Sequence, residues 1–376
     1  MAVIVSTFNP EKIPYRKHAL MFKKLFECLK QHILILPALD MQNVKKSIEI
    51  YKEHIARADM IFHYTGMLIA QFPYSESYEQ WLGEMMRARG FCWSHQYMLN
   101  KKEQHCIEEI NTSICQANAL LYADVFFKTE EELYALLGNA GLSVIRRFQK
   151  QEYENNKFFP VIIKYANTTK AQGVYYIENE RQLNLLNSSK CVYLRFIESP
   201  SEYYTHYRIY TAGSSIIAAV LCYSGAKKKD AIRIIDKNNA YDNPESSLFL
   251  NRKLIASNRT YGGKVIPLNL TQESQKITDK EKHILTAHHI VDQKLPAELA
   301  AYAKKTAEIA SKNGLYLIGQ DWIQDTENRF HCIEINWGPE LTSIDAVYNK
   351  GKGEDDTTRA IAAEKIAEAI ISDMGI

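Results

Sequence analysis

The sequence predicts an α+β protein in which a small α/β unit precedes a larger, β-rich region. Up to about residue 95, short apolar strand candidates alternate with amphipathic helix candidates, the pattern of an open parallel sheet. From 192 to 222 strand candidates dominate, and a hairpin pattern follows at 315–337. The chain has 376 residues; at roughly 100–200 residues per domain, that makes two or three units.

The elements of the first unit follow in order. Residues 2–6 form a short apolar run, the first strand. Residues 17–31 carry Leu20, Phe22, Leu25, Phe26 and Leu29 at helical spacing. Residues 33–37 give a second strand, 44–58 a second helix and 58–64 a third strand.

The texture then changes. Residues 101–110 are helix-like, and 129–137 read as a helix with Thr129 as N-cap and acids at 130–132 in its first turn. Strands are expected at 159–164, 174–177, 192–197, 207–212 and 215–222. Residues 223–257 are polar and rich in Lys, Asn and Asp, and read as a long mobile insertion. Residues 296–312 form an amphipathic helix with Leu299, Tyr302, Ala303, Thr306, Ile309 and Ala310 on one side, ended by Asn313-Gly314. The hairpin follows, and 357–372 is a last helix.

Composition excludes several function classes. Lys plus Arg is 46 and Asp plus Glu 44, a formal net charge of +2, so there is no general electrostatic footprint for nucleic acid or an anionic membrane. No apolar run approaches the roughly 18–20 residues of a spanning helix. The N-terminus lacks the pattern of a signal peptide. Seven cysteines are spread singly with no metal or redox spacing, which points to free thiols in a reducing cytoplasm.

The hairpin carries the sharpest chemistry. Its strands are 319–325 and 330–336, joined by a turn at 326–329. Pairing Asp325 with Phe330 puts Asp321 opposite Glu334. Glu334 and Asn336 are two apart and share that face, while Ile333 and Ile335 point into the core. Two carboxylates and an amide oxygen suit Mg²⁺, which keeps several waters and is completed by substrate phosphates. Like charges directly opposite are destabilising unless neutralised. The plainer reading is an exposed sheet face with ordinary polar residues.

Four further features accompany it. Lys164 ends a buried strand, which is costly without a partner. It precedes a polar loop with Lys170, Gln172 and Gly173, whose backbone N–H groups could cradle phosphates; a snorkelling lysine and a solvated turn are the alternative. At Arg195, Phe196, Ile197 and Glu198, apolar side chains and main-chain groups could hold a purine, and Glu198 a ribose hydroxyl, against the alternative of a plain core strand. Arg208 lies mid-strand, where a surface arginine is common. Asn258 precedes Gly262-Gly263, a turn that lets something approach the backbone closely.

In this order, the pieces resemble the ATP-grasp superfamily over roughly residues 96–345, and most of all its ribosomal-protein glutamate-ligase and glutathione-synthetase-like branch. Asn100-Lys101 resembles the opening pair of the ATP-grasp domain. Residues 160–164 resemble the strand ending in the second nucleotide lysine, 170–174 the flexible phosphate loop, and 194–197 the adenine hinge. Residues 207–209 with 216–219, and then 258–263, resemble later family segments. Asp321, Glu334, Asn336, Pro339 and Leu341 resemble the metal strands and the following turn. The phosphate loop departs in having one glycine, Asn100 in replacing Asp, and His206 in standing where Asp is typical, leaving Glu198 or Glu202 for the ribose. Residues 223–257 have no counterpart in compact members.

The resemblance implies two α+β subdomains clasping ATP, at 96–190 and 191–376, behind a pre-ATP-grasp unit at 1–95. It implies an ATP-dependent ligase that joins a carboxylate to an amine through an acylphosphate, acting on an amino acid or peptide. Asp321, Glu334 and Asn336 would hold Mg²⁺, with Mn²⁺ the alternative. Lys101 and Lys164 would neutralise phosphate oxygens, under the loop at Lys170, Gln172 and Gly173. Arg195, Phe196, Ile197 and Glu198 would contact the nucleoside. Arg208 would stabilise the acylphosphate or bind the carboxylate, and Asn258 would line the acceptor side. A homo-oligomer fits the family. Kinase chemistry on a hydroxyl and nucleotide binding without turnover are the alternatives.

Overall fold

The computed structural model describes residues 2–6, 16–37, 44–65, 68–72, 130–165, 174–184, 191–228, 263–270, 277–336 and 356–375, with positions 339, 344, 347 and 348. The fold is α+β, with three sheets among the described residues. The first holds β1 (Ala2–Ser6), α1 (Arg16–Leu29), β2 (Leu34–Ile35), α2 (Val44–Ala56), β3 (Met60–Thr65) and β4 (Leu68–Phe72). Its strand order is β2-β1-β3-β4, with β1 parallel to β2 and β3 and with β4 antiparallel. All five residues of β1 are buried, as an inner parallel strand requires. Strand β4 is an addition to the sequence expectation; its run Leu-Ile-Ala-Gln-Phe lacks the alternation that marks a half-buried strand.

The second sheet belongs to α3 (Glu130–Asn139), β5 (Arg147–Phe148), α4 (Lys150–Asn155), β6 (Val161–Tyr165), β7 (Val174–Ile177), α5 (Glu180–Leu183) and β8 (Cys191–Arg195). It is antiparallel, in the order β5-β8-β6-β7. Val161 and Ile163 of β6 face a core with Tyr153, Ile177, Cys191 and Tyr193. Alternation therefore turns Ile162 and Lys164 to the other face. The expected cap Thr129 and the expected helix at 101–110 lie outside the described residues.

The third and largest sheet is built from β9 (Tyr203–Ala212), β10 (Ser215–Lys227), β11 (Lys264–Leu268), β12 (Leu317–Gln324) and β13 (Phe330–Asn336), with α6 (Asp279–Ala287), α7 (Ala297–Lys312) and α8 (Asp356–Asp373). Its order is β11-β10-β9-β12-β13, antiparallel throughout. One face, with Tyr207, Ile209, Trp322 and Cys332, packs on Leu299, Ala303 and Ala310 of α7. On the other side, Tyr210 and Ala218 join Ala363, Ile366 and Ile370 of α8, together with Leu25 and Leu29 of α1. Lys24 and Glu364 add an ion pair between α1 and α8 at 3.4 Å. Among the described residues, no helix is long and apolar enough to cross a membrane.

Two sequence expectations are corrected here. Residues 223–227 are not part of the insertion expected from 223: β10 runs to Lys227, which pairs with Tyr203, and Tyr223 and Ser224 are buried. Polar composition misled because these residues find partners in the fold. Lys227 contacts Glu202 at 2.8 Å, and Lys228 contacts Glu198 and the Ser199 carbonyl. Second, the adenine-hinge strand ends at Arg195, so Phe196, Ile197 and Glu198 lie beyond it.

The β9–β10 turn is locked at Gly213, whose φ is +54°. A Cβ there would lie 1.7 Å from Oδ2 of Asp373 and 3.0 Å from the Tyr316 ring. The Tyr316 hydroxyl donates to that carboxylate at 2.8 Å. Gly213→Ala is expected to destabilise the chain by about 1–3 kcal/mol, from a strained backbone and a displaced carboxylate. An unchanged midpoint of urea unfolding would contradict this packing.

Candidate active site

The site is built on the face of the large sheet opposite α7, where the second sheet meets it. Its central strand position is Asp321 on β12. The register sets Asp321 opposite Arg208 of β9 on one side and opposite Glu334 of β13 on the other. Asn336 follows two residues after Glu334 and lies opposite Gly319. His206 precedes Arg208 by two and shares its face.

The hairpin reaches this register by a route the sequence does not predict. At the turn Gln324, not Asp325, pairs with Phe330, and a bulge in β13 restores Asp321 opposite Glu334. The physical cause is Asp325. Its carboxylate accepts the backbone N–H groups of Glu327 and Arg329, each at 2.9 Å, Nε of Arg329 at 2.8 Å, and Nε2–H of His331 at 2.9 Å. Burial pushes its pKa up, but these donors outweigh burial and bring it down to about 2. Asp325 therefore caps the turn instead of extending the strand, and Asn328 takes a φ of 65°. The bulge has a second consequence. Ile335 is buried, but Ile333, expected in the core, is only half-buried.

Strand β13 is also tied to the segment that leads into β5. Cys332 N–H donates to the Ser143 carbonyl at 2.8 Å, Ile145 N–H donates to the Cys332 carbonyl at 3.1 Å, and Ser143 Oγ meets Nδ1 of His331 at 2.7 Å. Ile335 N–H donates to the Tyr134 hydroxyl at 3.2 Å. These bonds hold the small sheet and β13 together. A cavity of about 440 Å³ lies beside them, lined by Tyr134, Ser143, Arg146 and Arg147 among others.

Asp321, Glu334, Lys164 and Arg208 each face a counter-charge. Arg208 grips Asp321 with a parallel fork: Nε to Oδ1 at 2.7 Å and Nη2 to Oδ2 at 2.6 Å. The Asp321 side chain is 5% exposed. Burial pushes the Asp321 carboxyl up, but the Arg208 charge and hydrogen bonds, with His206 and Lys164 behind them, hold it below the usual carboxylate range. His206 Nε2 lies 3.9 Å from Oδ1 of Asp321, and burial lowers its pKa to about 4 although Asp321 pulls the other way. Lys164 reaches across from β6 of the second sheet to Glu334, at 3.1 Å. Asp321 and Glu334 can face each other because a separate cation neutralises each. Neither Lys164 nor Arg208 is the idle surface side chain of the plainer reading.

The hinge segment, residues 195–198, leads out of β8. The Arg195 guanidinium stacks 4.7 Å from the Phe158 ring centroid, on the side of the sheet away from Lys164. Phe196 packs edge-on against Tyr176 and Tyr204, and its N–H points at the Pro160 carbonyl at 3.5 Å. Glu198 pairs with Lys228, and Glu202 with Lys227 and His283. Lys101, Lys170, Gln172, Gly173 and Asn258 lie outside the described residues. Among the described residues, no group of three or more His, Cys, Asp or Glu side chains converges on a metal position. Asn336 adds an amide oxygen two residues beyond Glu334 on the same strand. Reasoning from the sequence missed the neutralising roles of Lys164 and Arg208, because their partners lie on strands remote in sequence.

No family model and no curated protein matches the sequence. Among solved structures, the chain is similar to ATP-grasp ligases over nearly its whole length. One is the ATP-grasp ligase PsnB complexed with a minimal precursor, at 12% identity and a TM-score of 0.46, covering 99% of this chain and 98% of that one. Another is the macrocyclase MdnC bound with precursor peptide MdnA from Microcystis aeruginosa MRC, at 12% identity and 0.44, covering 99% and 100%. A third is the D-alanine–D-alanine ligase from Bacillus anthracis complexed with ATP, at 10% identity and 0.41, covering 100% and 98%.

Proposed function

We propose that the chain is an ATP-dependent carboxylate–amine ligase of the ATP-grasp type, acting on an amino acid or peptide and releasing ADP and phosphate. One observation carries the reading. Lys164 of the small antiparallel sheet and Arg208 of the large one are brought to the same cluster as Asp321, Glu334 and Asn336. The motifs also stand in the order that the sequence resemblance requires.

The chemistry follows from the charges. Transfer of a terminal phosphoryl group is a problem of positioning and of neutralising spread negative charge. Lys164 suits a phosphate oxygen, since a lysine contributes a compact point charge on a flexible stem. Arg208 presents a planar fork that matches a carboxylate or phosphate. The hard oxygen donors of Glu334, Asn336 and Asp321 fit Mg²⁺ or Mn²⁺, which would supply charge neutralisation for the phosphates. Once a carboxylate has been converted to an acylphosphate, an amine attacks its carbonyl carbon and phosphate leaves. No side-chain nucleophile is required.

Hydroxylamine tests this, because it intercepts an acylphosphate whatever the natural amine is. With MgATP and pools of amino acids or peptides, a hydroxamate and matching ADP are expected. Glu334→Gln is expected to lower that turnover by about a hundredfold or more, as removal of one electrostatic stabiliser does elsewhere. Unchanged turnover in this variant would falsify the cation assignment.

A further inference from the structure

Beside the cavity of about 440 Å³, three side chains form a hydrogen-bonded chain that the ligase reading does not use. Ser143 Oγ lies 2.7 Å from Nδ1 of His331, and Nε2 of the same ring lies 2.9 Å from Oδ2 of Asp325. The Asp325 carboxylate is kept charged by the backbone N–H groups of Glu327 and Arg329 and by the Arg329 guanidinium. A charged carboxylate can only accept, so Nε2 carries the ring proton. Nδ1 is then the bare nitrogen, and it accepts from the Ser143 hydroxyl. Nucleophile, base and the group that orients the base stand in line, with the base in the tautomer the chemistry needs. The backbone fixes this pair: Cys332 N–H donates to the Ser143 carbonyl and Ile145 N–H to the Cys332 carbonyl. Those two bonds tie β13 to the 143–145 segment without help from the side chains. Ser143 is exposed, whereas the side chains of His331 and Asp325 are 19% and 11% exposed. The hydroxyl is therefore open to a substrate while its base is sheltered. Ser143 shares the cavity wall with Arg146 and Arg147, and no carboxylate is among the described lining residues. Arg146 pairs with Glu152, and Arg147 donates to the Tyr134 hydroxyl at 2.9 Å. Two guanidiniums in one wall suit an anionic substrate group and the oxyanion of an acyl transfer.

We propose that Ser143, His331 and Asp325 form a second centre, independent of nucleotide, that hydrolyses a carboxylic ester bearing an anionic group. Ser143 Oγ bonds to the acyl carbon as its proton passes to Nδ1 of His331. The ester C–O bond then breaks, the departing alkoxide takes that proton, and an acyl-serine remains. Water repeats the sequence: its proton passes to Nδ1, its oxygen bonds to the acyl carbon, and Ser143 leaves with the proton restored. One ester and one water thus give one acid and one alcohol. Ser143 and His331 are the catalytic residues. Asp325 is a positioning residue, which holds the ring and offsets the charge that His331 gains.

Two chromogenic esters, given to the full chain without ATP, test this: neutral p-nitrophenyl acetate and the anionic acetyl ester of a hydroxynitrobenzoate. Both are expected to be hydrolysed, the anionic one with a kcat/KM about tenfold higher or more. A fluorophosphonate is expected to add to Ser143, which the mass of the labelled peptide locates. Ser143→Ala is expected to abolish hydrolysis and labelling while keeping the ATP-dependent hydroxamate turnover, so the two activities are read separately. His331→Gln is expected to lower kcat by about a hundredfold or more with KM held. Asp325→Asn is expected to give the same split, which a merely loosened turn would not. Should Asp325→Asn fail to fold, the Ser143 and His331 variants decide the matter, since both leave Asp325 and its turn donors in place. Hydrolysis by Ser143→Ala at the wild-type rate, or a wild-type chain that takes neither an acyl nor a phosphonyl group on Ser143, overturns the proposal.

Discussion

Arg208→Met is expected to lower the unfolding free energy by about 3–5 kcal/mol, because it leaves the Asp321 carboxylate buried without its counter-charge. His206 does not rescue it. That imidazole is 3.9 Å away, and burial, the largest influence on it, favours its neutral form. Replacing both partners, as Arg208→Met/Asp321→Leu, is expected to recover most of the loss, since buried pairs exchanged for apolar groups are often neutral. Turnover is not expected to recover, because the guanidinium is gone. Chemical denaturation of the two variants gives the first comparison, and the hydroxamate assay gives the second. If the single and double variants are equally destabilised, the fork is not what balances Asp321.

Acid is expected to weaken the fold well above the range where carboxylates titrate. His288, at the end of α6, is buried in a polar network. Its Nδ1 lies 2.7 Å from Oε1 of Gln324, and its Nε2 lies 2.8 Å from Oγ1 of Thr205. The amide oxygen can only accept, so Nδ1 carries the proton and Nε2 accepts from Thr205. Burial lowers the His288 pKa to about 4, with Lys228 adding to the effect and the Gln324 contact opposing it. His206 is lowered to about 4 as well. The unfolded chain binds these protons near pH 6.5 and the folded chain does not until about pH 4. Stability is therefore complete above the unfolded value and is lost as pH falls through this window, by up to about 3 kcal/mol for each histidine. Urea midpoints measured from pH 7.5 to 4 check this. His288→Gln should flatten the curve by its own share; a wild-type curve already flat across the window would rule the mechanism out.

Parts of this molecule are written locally and parts are not. Asp321 opposite Glu334 is expected from pairing Asp325 with Phe330 and is reached instead from Gln324 opposite Phe330 through the bulge, whereas the strands at 2–6 and 174–177 come out at their observed bounds. The bulge does not follow, because it depends on how Asp325 spends its oxygens; the Asp-Thr-Glu-Asn run was the available signal. The partners of Lys164 and Arg208 are illegible for a different reason. They come from β13 and β12, far along the chain, and no local pattern encodes a non-local pairing. Strand β11 and helix α6 were passed over on the far side of a polar stretch. Yet α6 has a capping box, Thr278 with Glu281, which an Ser/Thr-x-x-Glu search would have found.

The packing of α1 against α8 bears on biogenesis. Leu25 and Leu29 leave the ribosome long before Ala363, Ile366 and Ile370, which cover them. Sequence separation of this size slows closure, so the nascent first unit carries an uncovered apolar stripe until those residues are made. Such a stripe is what holdase chaperones bind. Expression of this chain should therefore depend on chaperone supply during synthesis more than its finished stability suggests.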